Sequence, residues 1–229
     1  MSEVPDYLEA EDPSDWLIDA GRMTRDLCAA NLGHLAFYLD TLDTFVQDRE
    51  KADTQAIIER HKEQHVNWAE EHPYWWQDIV GEQVRRSFII ALMSIAEHYV
   101  SFTCRDAERA FGLTIRVDDL AGGWLQRSRK YFEKFAGFSS PSPHIWDSLG
   151  GIYLVRNVFV HRGGMLDSTA NITRAKGMLK AAPGITFNPP FIELDISFCR
   201  FAHEAVTEFF QLLHEEHQVR CKAVLSGTA

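Results

Sequence analysis

The chain has 229 residues, 45% of them hydrophobic and 24% charged, proportions that allow a sizeable core and exclude wholesale disorder; at roughly 100–200 residues per domain they allow one domain with an appended helical piece. Thirty-three Asp and Glu against 23 Lys and Arg leave a net charge of −10, which excludes a protein that coats nucleic acid or anionic membrane over its whole surface but not one with a local basic cleft. Four scattered cysteines, Cys28, Cys104, Cys199 and Cys221, form no Cys-x-x-Cys pair, so neither a zinc ribbon nor a disulfide scaffold is expected, and a reducing cytosol is the predicted setting.

Residues 1–13 are acidic and lack an apolar run, so a flexible tail is expected there and neither a signal nor a transit peptide. From Asp12 or Ser14 apolar residues recur at threes, fours and sevens through Trp16, Leu32, Leu39 and Phe45, predicting a helix to about Val46. The charged stretch Gln47 to Asp53 then reads as a break before a second helix closed at Pro73, the two pairing antiparallel. Together, residues 14–73 form a predicted N-terminal helical extension, and residues 74–225 a helical core.

Trp75 to Phe111 reads as a long third helix ending at Gly112. Its apolar middle, Phe88 to Ala96, is shorter than the roughly 20 residues that span a bilayer, which predicts a buried core helix and no membrane anchor. A fourth helix is expected from about Gly122 to Phe135, and a fifth from Ser142 or Pro143 up to Gly163-Gly164. Beyond it lie one short helix within Met165–Ala182, a small hairpin of Ile185–Phe187 and Phe191–Leu194 around Asn188-Pro189-Pro190, and a last helix from Asp195 to Val224. The predicted class is an all-α helical bundle with a small β-hairpin near 185–194.

Leu154 to Gly164 reads Leu-Val-Arg-Asn-Val-Phe-Val-His-Arg-Gly-Gly. At 3.6 residues per turn Asn157 and His161 share a helix face, with Arg156 about 100° round from Asn157. All three border one cleft if the last turn adjusts at Gly163. The unpaired carbonyls of a helix C-terminus favour a cationic His161, suited to protonating a leaving oxygen. Arg156 offers forked donors that match phosphate, and Asn157 an amide that orients a phosphate oxygen, a ribose hydroxyl or the imidazole. Arg60 and His65 stand at the same spacing, but in a polar setting and without the Asn.

Arg156, Asn157 and His161 at the end of an apolar helix resemble the signature of HEPN domains, all-helical proteins found among bacterial toxin and antiviral ribonucleases. The resemblance covers roughly residues 75–225. It implies metal-independent endoribonuclease activity in which the RNA's own 2′-hydroxyl attacks the adjacent phosphate, with no cofactor. It also implies a homodimer whose protomers share one cleft, and an antitoxin protein as a possible partner. In that family a polar residue of the preceding long helix often faces the cleft; Glu97, with Ser94 one turn before it, is the counterpart here, and Arg162 adds charge beside His161.

Plainer readings stand beside these. Arg156, His161 and Arg162 before Gly-Gly also make good helix C-terminal chemistry, and a HEPN-like fold can serve as a non-catalytic dimerisation or partner-binding module. His61, His65 and His72, with His214 and His217, invite a metal site, but no His-Glu-x-x-His or Glu-x-x-His run occurs, and solvated helix faces are expected instead. Trp68, Tyr74, Trp75 and Trp76 around Pro73 are expected to pack a helix corner rather than to stack bases. No Gly-rich phosphate loop, dinucleotide fingerprint or Gly-x-Ser-x-Gly elbow is present.

Overall fold

The computed structural model describes residues 13–64, 75–166, 169–180, 182–188 and 190–226. The acidic tail at 1–12, the Pro73 boundary and His65, Trp68, His72 and Tyr74 lie outside the described residues. Among the described residues there are six α-helices and one two-stranded antiparallel sheet, so the chain is essentially all-α, as its periodicity predicts.

The first helix, α1, runs unbroken over Pro13–Gln64. The expected break at Gln47–Asp53, and with it the antiparallel pair, does not occur. That stretch is charged but holds no Gly or Pro, and five of its seven residues, all but Asp48 and Asp53, are good helix formers. Side chains one turn apart hold its outer face: Gln47 Nε2 donates to Asp43 Oδ2 at 2.9 Å, Lys51 lies 3.9 Å from Asp48, and Gln55 Nε2 donates to Glu59 Oε1. Such pairs add a few tenths of a kcal/mol each, enough to keep a polar helix wound.

Trp75–Gly81 is wound as a π-helix that passes directly into α2, Glu82–Phe111. Its wide turns are tied to α1 by Trp76 Nε1 donating to Asp53 and Gln77 Nε2 to Glu50. By length and composition Trp75–Phe111 would be able to cross a membrane; half of its most apolar window is buried inside the protein, with Phe88, Ile89, Leu92, Met93, Ala96 and Val100 at 1% exposure or less. Gly112, at φ 61°, ends the helix. Then follow a 3-10 turn at Val117–Asp119, α3 at Trp124–Lys134, α4 at Pro143–Arg162 and α5 at Thr169–Met178. Strands β1, Ile185–Asn188, and β2, Phe191–Leu194, pair with Asn188 opposite Phe191 and Phe187 opposite Ile192.

The last helix, α6, spans Ile196–Leu225. Asp195 caps it: its Oδ1 accepts from the backbone N–H groups of Ser197 and Phe198 and from the Ser197 hydroxyl. Burial works to raise this carboxyl, but those hydrogen bonds outweigh it and hold it below its ordinary range.

The contacts divide the chain into two compact units, each assembled from separate stretches. One comprises residues 1–30, 95–146 and 207–229, the other 31–94 and 147–206. The first packs around aromatic rings: Phe132 stacks on Phe138 with centroids 5.0 Å apart, and Trp146 meets Phe209 edge-on at 4.7 Å. The second packs aliphatic side chains, among them Leu32, Leu39, Leu92, Ile152, Val155 and Val206, with Phe88 and Phe198. The logic is the same in both, since each helix buries one stripe and leaves the other wet. Within the second unit Gly151 lets α4 approach the residues that follow α5, because a Cβ there would stand 2.7 Å from Leu179 Cγ.

Candidate functional site

All three motif residues lie in the second unit, on the last two turns of α4. Ile152, Val155 and Phe159 turn inward and anchor these turns in the core. The opposite face carries Leu154, Asn157, Val158 and His161, spaced i, i+3, i+4 and i+7 as one helical stripe requires.

Gly163 and Gly164 stop the helix with φ of 59° and 96°, conformations that cost any other residue strain. Their N–H groups turn back to the carbonyls of Phe159 and Val158, both at 3.2 Å. The chain then returns along the hairpin: Leu166 N–H donates to Pro190 O at 2.6 Å, Ile192 N–H to Gly164 O at 3.0 Å, and Met165 bridges Phe191. Strand alternation turns Ile192 inward and leaves Phe191 exposed.

These elements enclose a cleft of about 260 Å³. Leu154, Val155, Val158, Leu166, Ala175 and Ile192 form its walls, and Asn157, His161 and Arg162 are its polar members. Asn157 is half-buried; His161 and Arg162 are exposed. The helix arithmetic that puts Asn157 and His161 on one face is therefore realised at a real concavity.

Arg156 does not line this cleft. Its Nη1 donates to Asn157 Oδ1 at 2.9 Å, so it reaches the cleft only through that amide. The offset of 100° between adjacent helix positions is the reason. Arg162, at the end of the helix, is the guanidinium that lines the cleft beside His161.

Ser94 and Glu97 are not among the cleft-lining residues. Ser94 is exposed and its hydroxyl bonds back to Ile90 O at 2.8 Å, while half-buried Glu97 belongs to the other compact unit.

Arg86 is the residue that sequence reasoning missed. Its guanidinium donates to Gly163 O at 3.2 Å, pairs with Glu82, and lies over the Phe159 ring at 5.2 Å from the centroid. It thus holds the turn that follows His161. Nothing local in the sequence signals this, because the two sites are 77 residues apart.

Charge is the signal that was available. Residues 148–192 hold five Lys and Arg (Arg156, Arg162, Arg174, Lys176, Lys180) and a single acid, Asp167. That segment carries +4 within a chain of −10, leaving −14 for the rest. Arg174 and Lys176 are exposed on either side of the cleft wall Ala175.

The other histidines have different surroundings. Among the described residues no three His, Cys, Asp or Glu side chains converge as a metal site would need. His61 is buried rather than on a solvated face, and so are His214 and His217 in the first unit. Burial, then the charges of His217 and Arg25, push His214 down to about 4, and burial lowers His217 as well. The cysteine thiols are free and buried, and burial pushes those of Cys28, Cys104 and Cys199 up to about 12. Trp76 meets Phe45 edge-on at 5.9 Å, the packing role expected for it.

In comparisons with known proteins, no family model, no curated protein and no solved structure matches this chain.

Proposed function

We propose that the chain is a metal-independent endoribonuclease of HEPN type, acting as a toxin or antiviral defence effector, with His161 at its centre. The observation that carries this reading is the placement of Asn157, His161 and Arg162 on one cleft, within a stretch of net positive charge in an acidic chain. An RNA phosphate is the chemistry such a stretch attracts locally while the overall charge repels it elsewhere.

The reaction is internal transesterification. The 2′-hydroxyl loses its proton to a base and attacks the adjacent phosphorus; the P–O5′ bond breaks, and O5′ takes up a proton. The products are a 2′,3′-cyclic phosphate and a 5′-hydroxyl, with no redox change and no metal. His161 supplies one of the two proton transfers. Arg162 neutralises charge on the phosphorane from the cleft edge, and Arg156 acts from behind by fixing the Asn157 amide. In a homodimer of HEPN type, two protomers would bring their His161 side chains, each with Arg156 behind Asn157, to a shared cleft, and an antitoxin protein would act by covering it.

The coupling of Arg156 to Asn157, with largely apolar cleft walls, favours a second reading: a module that binds RNA or a protein without cutting. Labelled RNA incubated with the purified protein in EDTA separates the two. Cleavage that disappears in His161→Ala is expected; no cleavage, or cleavage unchanged in His161→Ala, rejects the enzymatic reading.

A further inference from the structure

The cleft is poorly suited to hold a phosphate in its interior. Its walls are Leu154, Val155, Val158, Leu166, Ala175 and Ile192, and an anion among aliphatic side chains would forfeit hydration without gaining partners. At about 260 Å³ it falls below the roughly 300–1,000 Å³ typical of pockets for drug-sized ligands. A single flat ring is the natural occupant. The exposed cations, Arg162, Arg174 and Lys176, are placed to meet a charged backbone outside.

Asn157 gives the cleft a direction. Arginine has donors and no acceptor, so the atom that receives Arg156 Nη1 at 2.9 Å must be the carbonyl oxygen of the Asn157 amide. That contact fixes which way the amide is turned. With the oxygen so engaged, the NH2 group is the donor that Asn157 can offer to the cleft it lines. His161 stands one turn further along the same face.

The geometry points to the cleft as a nucleobase pocket that selects uracil or guanine by donation from Asn157 to O4 of uracil or O6 of guanine, the positions at which cytosine and adenine carry an amino group. The base enters between the aliphatic walls, and its own phosphate stays outside, beside His161 and Arg162. Cytosine and adenine present an amino group at the corresponding position, which would face the Asn157 donor without an acceptor. An unpaired, unstacked base is required, so single-stranded RNA is the substrate form. This deepens the ribonuclease reading by naming the feature of RNA that is recognised, and it rests on RNA being the ligand.

Direct binding of nucleoside monophosphates to the whole protein in EDTA, followed by NMR, tests the pocket without requiring turnover. UMP and GMP should bind about tenfold or more tighter than CMP and AMP, and ribose 5-phosphate, which lacks a base, should be the weakest. Asn157→Asp keeps an acceptor for Arg156 but removes the donor, and should reverse the order in favour of CMP and AMP. Leu154→Trp, which fills the cleft from a half-buried position, should reduce all four nucleotides to the level of ribose 5-phosphate. Equal binding of the four nucleotides and ribose 5-phosphate, or a base order unmoved by Asn157→Asp in a folded protein, overturns the pocket. The two readings fail separately: RNA cut without base preference leaves the nuclease standing and rejects the pocket, whereas selective binding of UMP and GMP without cleavage does the reverse.

Discussion

Histidines at the end of α4 and in the middle of α6 experience opposite physics. His161 is exposed, borders a cleft, and sits where two glycines end its helix. His214 is 6% exposed and stacks on Phe210 with centroids 5.6 Å apart, and His217 lies against Phe111 and Phe138. The buried pair is held in neutral form by the cost of taking charge out of water; the exposed one remains accessible to a ligand. A histidine in a helical protein is therefore assigned by its surroundings: His217 also borders a concavity, of about 160 Å³ with Arg22, Arg25 and Lys222, but of the two regions only the end of α4 has its histidine exposed.

Several substitutions sharpen this contrast. The largest expected effect is on catalysis: His161→Ala should lower RNA cleavage by about a hundredfold or more, while its exposed position keeps the change in stability within about 0.5 kcal/mol. Parallel rate and urea-unfolding measurements check both halves. A loss of stability that accounts for the loss of rate would place His161 with the structural histidines.

The buried histidines should dominate acid sensitivity. The unfolded chain takes up a proton near the ordinary histidine value of about 6.5, whereas folded His214 does so only near 4. Stability is thus intact above about pH 6.5 and falls as pH drops toward 4, by roughly 3 kcal/mol from this group. Urea midpoints across that range should show the decline, and His214→Phe should flatten it. An unchanged slope in that variant would refute the assignment.

Smaller effects are expected at the turn that ends α4 and at the start of α6. Arg86→Ala releases Gly163 O and uncovers Phe159, at a cost of about 1–2 kcal/mol in unfolding free energy. Asp195→Ala removes the α6 cap and should cost about 1 kcal/mol. Because this carboxyl is held low in the folded state, its contribution is present above its unfolded value and is lost as pH falls through the folded one. Unfolding curves at pH 7 and pH 3 read the difference.

Much of the molecule was readable in its sequence where local chemistry decides. Gly163-Gly164 and Asn188-Pro189-Pro190 mark the end of α4 and the turn between β1 and β2 to within a residue or two. Gln47–Asp53 misleads because charge suggests a loop, yet winding is set by the absence of Gly and Pro and by pairs one turn apart. In the candidate site, Asn157 and His161 follow from helix periodicity alone. Arg86, Ala175 and Ile192 do not, since each reaches the α4 terminus from a distant stretch of chain. Arg156 was expected to border the cleft with the other two, but it turns toward Asn157 instead, a choice that depends on side-chain packing that periodicity does not encode.

The central claim is that His161 drives attack by the RNA's own 2′-hydroxyl. It is tested most directly by the ends of the products, formed in EDTA from an RNA oligonucleotide and from the same oligonucleotide with one 2′-deoxy sugar at the cut site. The account predicts a 2′,3′-cyclic phosphate and a 5′-hydroxyl from the first, and no cut at the substituted position in the second. Products ending in a 3′-hydroxyl and a 5′-phosphate, or cleavage that proceeds at the deoxy position, would contradict it.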